Sequence, residues 1–287
     1  MKAVLGNFIA SRVALAAALL LLVLLALAVA APLVSPQDPY DLAGLDLMDS
    51  RQAPLSHAAG NGMTYLLGTD DQGRDMLSAI LHGLRISLFV GVAGTGIALL
   101  LGSALGLLAA WTRGWVDALV MRIADMQLAF PAILIALVLL AVLGPGVGKI
   151  IAALAAVQWA YYARTVRSAA LGETSRDYIA AAQCLAIPRW RILFRHLLPN
   201  CMAPLVVVAT MQVASAIALE ATLSFLGLGL PVTEPSLGLL IANGFTYLLS
   251  GKYWISLFPG LALLLLIVCI NLVGDRLREV LNPRYVK

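Results

Sequence analysis

The 287-residue sequence is short of charge: only 12% of its residues are Asp, Glu, Lys or Arg. A soluble domain carries about 25%, so a water-facing globule is excluded. With 61% hydrophobic residues the chain reads as an integral membrane protein, and its net charge of +4 matters less than where the cations fall. Cysteine is scarce as well. Cys184, Cys201 and Cys269 form an odd set without metal-ligand spacing, which leaves no disulfide framework or zinc site and makes them small buried hydrophobes. His57, His82 and His196 lie on separate segments, with no HExxH, no GxSxG and no carboxylate pair inside a span. No catalytic site, metal site or nucleic-acid surface is therefore expected. A phosphate loop is also missing. Gly144–Lys149 (GPGVGK) is one residue short of G-x-x-x-x-G-K-[ST], has Ile150 where the hydroxyl belongs, and follows no strand. It reads as a turn between two spans, so the chain has no ATPase of its own.

What the sequence has is long apolar runs. A helix needs roughly 20 apolar residues to cross the hydrocarbon core. Val13–Ala31, Ile86–Trp111, Leu119–Leu143, Val147–Ala163, Cys201–Leu223 and Ile255–Gly274 qualify, although Gln158, Tyr161 and Tyr162 interrupt the fourth. The expectation is an all-α protein of six transmembrane helices. Lys and Arg mark cytoplasmic loops. Asp38, Asp41, Asp46, Asp49, Asp70, Asp71 and Asp75 face only Arg51 and Arg74 in the segment after the first run. Arg164, Arg167, Arg176, Arg189, Arg191 and Arg195 face only Glu173 and Asp177 in the segment after the fourth, and Arg276, Arg278, Arg284 and Lys287 lie in the tail. The aspartate loop is thus outside, and the arginine loop and both termini are inside. The division expected is 1–34 (cytoplasmic end and first span), 35–85 (outer loop), 86–274 (five-span core with a cytoplasmic loop at 164–200) and 275–287 (tail). Ala28-Val29-Ala30 resembles a signal-peptidase site, but a 19-residue run exceeds the usual signal core, so a retained anchor is expected. Cleavage there would leave the other orientations unchanged.

Some polar features stand out. Met76, Leu77, Ile80, Leu81 and Leu84 have the spacing of an amphipathic helix, expected at the outer interface. Gly102 and Gly106 form a GxxxG, whose bare face admits another helix backbone. Glu220 lies within the fifth run, where an acidic side chain is costly and faces a protein interior or an aqueous path. It is a candidate lining group of a translocation pathway, or else a buried anchor. Asp275, near the inner end of the sixth run, could pair with Arg278 or Arg122.

The arginine loop carries more than topology. Tyr178–Gln183 favours helix, and Pro188 can open a second one at its first turn. Trp190, Leu193, Phe194 and Leu197 then follow at helical spacing, with Arg191 and Arg195 on a neighbouring face, until Pro199 breaks the helix. Lipid headgroups explain the charge but not the stripe or the turn. Two short amphipathic helices with a sharp turn between them make a docking element for another protein.

This loop resembles the EAA loop of ATP-binding cassette (ABC) importer permeases. Ala181 and Ala182 stand at its alanines, and Leu197 and Pro199 at its end with leucine for isoleucine; Ala180 and Ala186 replace its glutamate and glycine. Leu66–Leu88 (LLGTDDQGRDMLSAILHGLRISL), Ala218–Pro231 and Gly274–Arg284 resemble the C-type permease subunit of dipeptide, oligopeptide and nickel importers, so the likeness covers nearly the whole chain. The resemblance implies a type I importer permease fold in a bacterial inner membrane. It also implies a homologous second permease, two cytoplasmic ATPases that carry the ATP and magnesium, an extracytoplasmic solute-binding protein and a peptide substrate. Asp177, Ala181, Ala182, Ala186, Ile187, Pro188, Arg189, Trp190, Arg191, Arg195 and Pro199 are the docking residues it implies. The same architecture could carry nickel, a metal–opine or a metallophore complex. A gradient-driven secondary transporter would show an internal repeat and midplane ionisable groups, and a scaffold would need no ATPase.

Overall fold

In a computed structural model of the chain, residues 8–41, 45–58, 62–231 and 233–281 are described. They form helices α1 (Arg12–Val34), α2 (Met76–Thr112), α3 (Gly114–Leu128), α4 (Ala132–Leu143) and α5 (Val147–Thr174), then α6 (Asp177–Cys184), α7 (Met202–Phe225), α8 (Leu237–Phe245) and α9 (Trp254–Leu281). One two-residue pair, β1 (Ser56–His57) antiparallel to β2 (Thr64–Tyr65), lies in the loop after α1. The architecture is otherwise helical.

Four helices, α1, α2, α7 and α9, are long and apolar enough to cross a membrane, and α3 with α4 would be a fifth if a bent pair is one span. This differs from the six runs read in the sequence. Leu119–Leu143 is not one rod: α3 and α4 meet at 93°. Pro131 explains the corner, because it offers no amide to continue the helix and drives Phe130 away from helical dihedrals. The corner is pinned to α5. Gln127 donates to the Ala156 and Val157 carbonyls at 2.7 and 2.8 Å and accepts from the Trp159 indole at 2.6 Å. Helix α5, at 28 residues, is not among the four, since its alanines, Gln158, Trp159 and tyrosines dilute its hydropathy.

The bundle is organised around α2. Its 37 residues give a rod of about 55 Å at 1.5 Å per residue, well beyond the roughly 30 Å hydrocarbon core. It packs along most of α5. A side chain at Gly102 would fall on the Trp159 carbonyl and Tyr162, and one at Gly106 on the backbone of Ala163. The two glycines thus bring α2 and α5 into backbone contact. Thr95 of α2 donates to the Gln158 side-chain Oε1 at 3.0 Å, and the Gln158 Nε2 donates to the Gln212 backbone carbonyl of α7 at 3.0 Å. These bonds satisfy polar groups that hydrocarbon would leave unpaired.

At the end where α2 begins, the aspartate loop folds into a buried knot. Asp75 caps α2, accepting from the Ser78 amide and hydroxyl at 2.8 and 2.6 Å. Asp70 accepts from the amides of Gln72 and Arg74 at 2.8 and 2.9 Å, and the Arg74 guanidinium lies 3.6 Å from its carboxylate. Burial pushes Asp70 up to about 6, against the pull of Arg74 and the two amides. Thr69 donates to the Asp49 carbonyl at 2.6 Å, and the Trp254 indole of α9 donates to the Thr69 carbonyl at 3.2 Å. The Gly-Thr-Asp…Gly-Arg-Asp stretch therefore ties the loop to the starts of α2 and α9.

Two local expectations are corrected here. Met76–Leu84 is not a separate amphipathic helix at an interface. It is the first two turns of α2, and Ser78, Ala79, His82 and Gly83 are buried along with Met76, Ile80, Leu81 and Leu84. What would have been the polar face is covered by Gln37, whose backbone amide donates to the Ser78 hydroxyl at 3.2 Å, by Tyr40, whose ring meets His82 edge-on, and by the start of α8 against Gly83. Near the end of α9 the ion pair is Arg276–Glu279 at 2.7 Å, not Asp275 with Arg278 or Arg122.

Candidate functional site: the arginine loop

The loop between α5 and α7 folds against the bundle. Helix α6 buries Ile179 and Ala182 in a cluster with Leu107, Tyr162, Val166 and Ala170, leaving Asp177 and Ala181 exposed. Glu173 holds its start, pairing with Arg176 at 3.0 Å and accepting from the Tyr178 hydroxyl at 2.7 Å. Burial, then that bond to Glu173, raise the Tyr178 phenol above its ordinary value. Asn200, at the far end of the loop, donates to the Tyr178 hydroxyl at 3.1 Å and to the His196 carbonyl at 2.7 Å. The two ends of the loop are thus stitched together.

Helix α6 ends at a left-handed residue. Ala186 has φ +51°, and the Ala186 and Ile187 amides donate to the Gln183 and Ala182 carbonyls at 2.9 and 3.1 Å. Glycine is the usual occupant of such a position, because a Cβ there meets the following carbonyl at a cost of about 1–2 kcal/mol. Ala186→Gly is expected to stabilise the purified protein by about 1 kcal/mol. Chemical denaturation in detergent reads this directly, and a destabilised Gly variant would contradict the strain.

After Pro188 the chain makes a helical turn at Arg189–Arg191, a wide π turn at Ile192–Leu197 and a last turn at Leu198–Asn200. Pro199 sits within that last turn rather than breaking the helix, and the chain passes through Cys201 into α7. The π turn redistributes the apolar side chains. Ile192 and Leu197, five apart, are buried, as an i→i+5 helix requires. The stripe expected from 3.6-residue spacing is therefore split: Leu197 is buried, Leu193 is half-buried, and Trp190 and Phe194 are 62% and 58% exposed. Leu185 and Ala186 at the turn are exposed too, while Ile187 and the cations Arg189, Arg191 and Arg195 complete the surface. No ion pair engages these three arginines among the described residues. Arg191 instead lies over the Trp190 ring, 5.4 Å from its centroid. The result is an exposed knuckle of aromatics and free cations on a rigid base.

Glu220 lies far from this loop. It is wholly buried in α7, accepting from Ser87 of α2 at 2.8 Å and from Ser224 at 2.7 Å, with Ser236, the cap of α8, as a third partner. Such a carboxyl has no surface open to a path through this chain; it ties α2, α7 and α8. Glu220→Gln swaps one acceptor for a donor among hydroxyls that donate, at a cost of about 1–3 kcal/mol. The thermal midpoint and yield of purified protein should both fall, and unchanged values would make the tie incidental. None of the three serines was singled out in the sequence, although helical spacing alone places Ser224 one turn from Glu220.

Residues 102–287 match the family described as the binding-protein-dependent transport system inner membrane component, and residues 1–54 match the N-terminal TM domain of oligopeptide transport permease C. The chain is 39% identical over 278 residues to the di/tripeptide transport system permease protein DppC of Pseudomonas aeruginosa (strain UCBPP-PA14), covering 97% of this chain and 90% of that one. The chain belongs to the binding-protein-dependent inner membrane component family. It is thus a multi-pass inner-membrane subunit without catalytic activity of its own. It is also 35% identical over 278 residues to the glutathione transport system permease protein GsiD of Pectobacterium atrosepticum, covering 97% and 89% of the two chains. Among solved structures it resembles an inward-facing MetNI methionine ABC transporter, with a TM-score of 0.56 and 20% identity over 72% of this chain and 98% of that chain. That likeness places the permease in the ABC importer fold.

Proposed function

We propose that this permease carries di- or oligopeptides across the cytoplasmic membrane, moved by separate ATPases that dock on the arginine loop. The observation that carries the reading is the knuckle: Trp190 and Phe194 exposed beside unpaired arginines, on a loop whose ends are fastened to the bundle. Apolar side chains and cations left open on a rigid base suit a groove in another protein. The relatives named for di/tripeptide and glutathione transport, matched along almost the full chain, support a peptide cargo. The assembly that fits is this chain with a second permease, two ATPases and a solute-binding protein. Six crossings follow if the bent α3–α4 pair counts as one and α5 as another. Residues 1–34, 35–85, 86–274 and 275–287 are then the end with the first span, the outer loop, the core and the tail.

Uptake of labelled dipeptides and of nickel into vesicles bearing the whole complex tests the cargo. ATP-dependent peptide uptake is expected, and nickel uptake alone would overturn the peptide reading. Orientation has its own test. Cys184 is exposed while Cys201 and Cys269 are buried, so an impermeant maleimide should label Cys184 alone, in inside-out vesicles but not in right-side-out ones. Labelling from the outer side would invert the proposed topology.

A further inference from the structure

A cleft of about 820 Å³ opens between the end of α2, the last turn of α5 and the arginine loop. Ile187 and Ile192 lie at its base, and Arg113, Gln183 and Arg189 converge on it from α2 and from either side of the Ala186 turn. The cleft borders the docking surface described above and shares Ile187 and Arg189 with it, whereas Trp190, Arg191, Phe194 and Arg195 do not line it.

Among the described residues no ion pair compensates its charge. Asp117 is engaged by Arg167 through both oxygens, Asp125 by Arg164 at 3.7 Å, and Glu173 by Arg176 and the Tyr178 hydroxyl. Asp177, at the far end of α6 from Gln183, is in no ion pair among the described residues. Among the described residues no carboxylate pairs with Arg113 or Arg189. The one hydrogen bond of the Arg113 guanidinium among the described residues is a long one, to the Thr174 hydroxyl at 3.5 Å. The Thr112 and Thr174 hydroxyls spend their own protons on the Leu108 and Leu171 carbonyls at 2.7 and 3.0 Å. The side-chain donors left on the cleft lining are therefore the two guanidinium groups, the Gln183 amide and the Trp111 indole. Arg113 has φ +53°, a left-handed conformation that a non-glycine residue holds only under strain.

Two guanidinium groups and an amide around one volume make a donor set for the oxygens of a phosphate. We propose that this cleft binds the phosphate of an anionic ligand, bridging Arg113 at the end of α2 to Arg189 in the loop. Its size and surroundings favour a phospholipid headgroup over a free ion. The volume far exceeds one phosphate, and Trp115, 76% exposed beside Arg113, is the residue type that sits at headgroup level. Basic pockets between helices on the cytoplasmic side bind such headgroups. A bridged phosphate would brace the loop against the bundle, making the stiffness of the coupling element depend on lipid. The inference rests on the proposed orientation, which Cys184 labelling tests separately.

The test uses the whole complex in nanodiscs of phosphatidylcholine, with and without phosphatidylglycerol, and counts retained lipid by native mass spectrometry. Two cations at about 1 kcal/mol each predict that Arg113→Gln with Arg189→Gln loses phosphatidylglycerol by about ten-fold or more. Arg113→Lys with Arg189→Lys should keep most of it, which separates loss of charge from loss of fold. A second arm measures radiolabelled inorganic phosphate by equilibrium dialysis in phosphatidylcholine alone. Binding there that is lost in the Gln variant supports the site with a soluble source. Retention equal in wild type and Gln variant in both arms overturns the proposal. So does a disulfide or crosslink from Arg113→Cys to an acidic segment of the ATPase, which would mean that a protein carboxylate fills the cleft.

Discussion

Gly106→Leu should abolish recovery of folded protein. At this position even a single Cβ would land on the carbonyl, carbon and Cα of Ala163 in α5, and backbone cannot rotate away as a side-chain end can. The two helices must separate along their length. Because α2 and α5 share the Tyr162–Val166–Ala170 cluster and the Thr95–Gln158 bond, separation also opens the inner core and strands polar groups. Overpacking alone costs about 1–3 kcal/mol; the lost contacts and bonds bring the total to at least ~4 kcal/mol, a large share of any protein's stability. Gly96 is the control on the same helix, since a side chain there meets nothing within 4 Å. Gly96→Leu should leave monodisperse yield and thermal midpoint nearly unchanged. If the two variants behaved alike, α2 and α5 would not be in backbone contact.

How much of this was readable beforehand depended on whether the signal was local. The GxxxG pair at Gly102 and Gly106 announced a close helix approach, and four of the six apolar runs announced spanning helices, because both are local properties of one segment. The corner at Pro131 was also written in the sequence, but an apolar run hides a proline from a hydropathy count, so Leu119–Leu143 read as one rod. The spacing of Met76–Leu84 was a sound helix signal with the wrong environment attached. Whether Ser78 and His82 face water depends on Gln37 and Tyr40, about 40 residues earlier in the chain. The loop stripe failed for a different reason. Spacing of 3.6 assumes an α-helix, and a π turn at Ile192–Leu197 moves each later residue to another face. Glu220 could be singled out by its cost in a span, but not its partners, since Ser87 lies 133 residues away. Arg113 gave no signal at all: its role comes from a left-handed backbone and from carboxylates already engaged elsewhere.

The second large effect is functional. Arg191→Glu with Arg195→Glu should leave the fold intact and cut ATP-dependent uptake by at least about ten-fold. Both side chains are exposed, neither belongs to an ion pair among the described residues, and Ile179, Ile192 and Leu197 are among those that make the buried contacts of the loop. Stability should therefore stay within about 0.5 kcal/mol of the parent, as for other surface changes. Docking should not survive. Replacing two cations by two anions changes the local charge by four units, and like charges brought together across an interface cost several kcal/mol. Co-purification of the ATPases with the permease and uptake in vesicles would be measured together. Loss of uptake with the ATPases still bound would place the arginines in transmission of movement rather than in attachment. Uptake and co-purification both at parental levels would mean that the exposed knuckle is not where the motor takes hold.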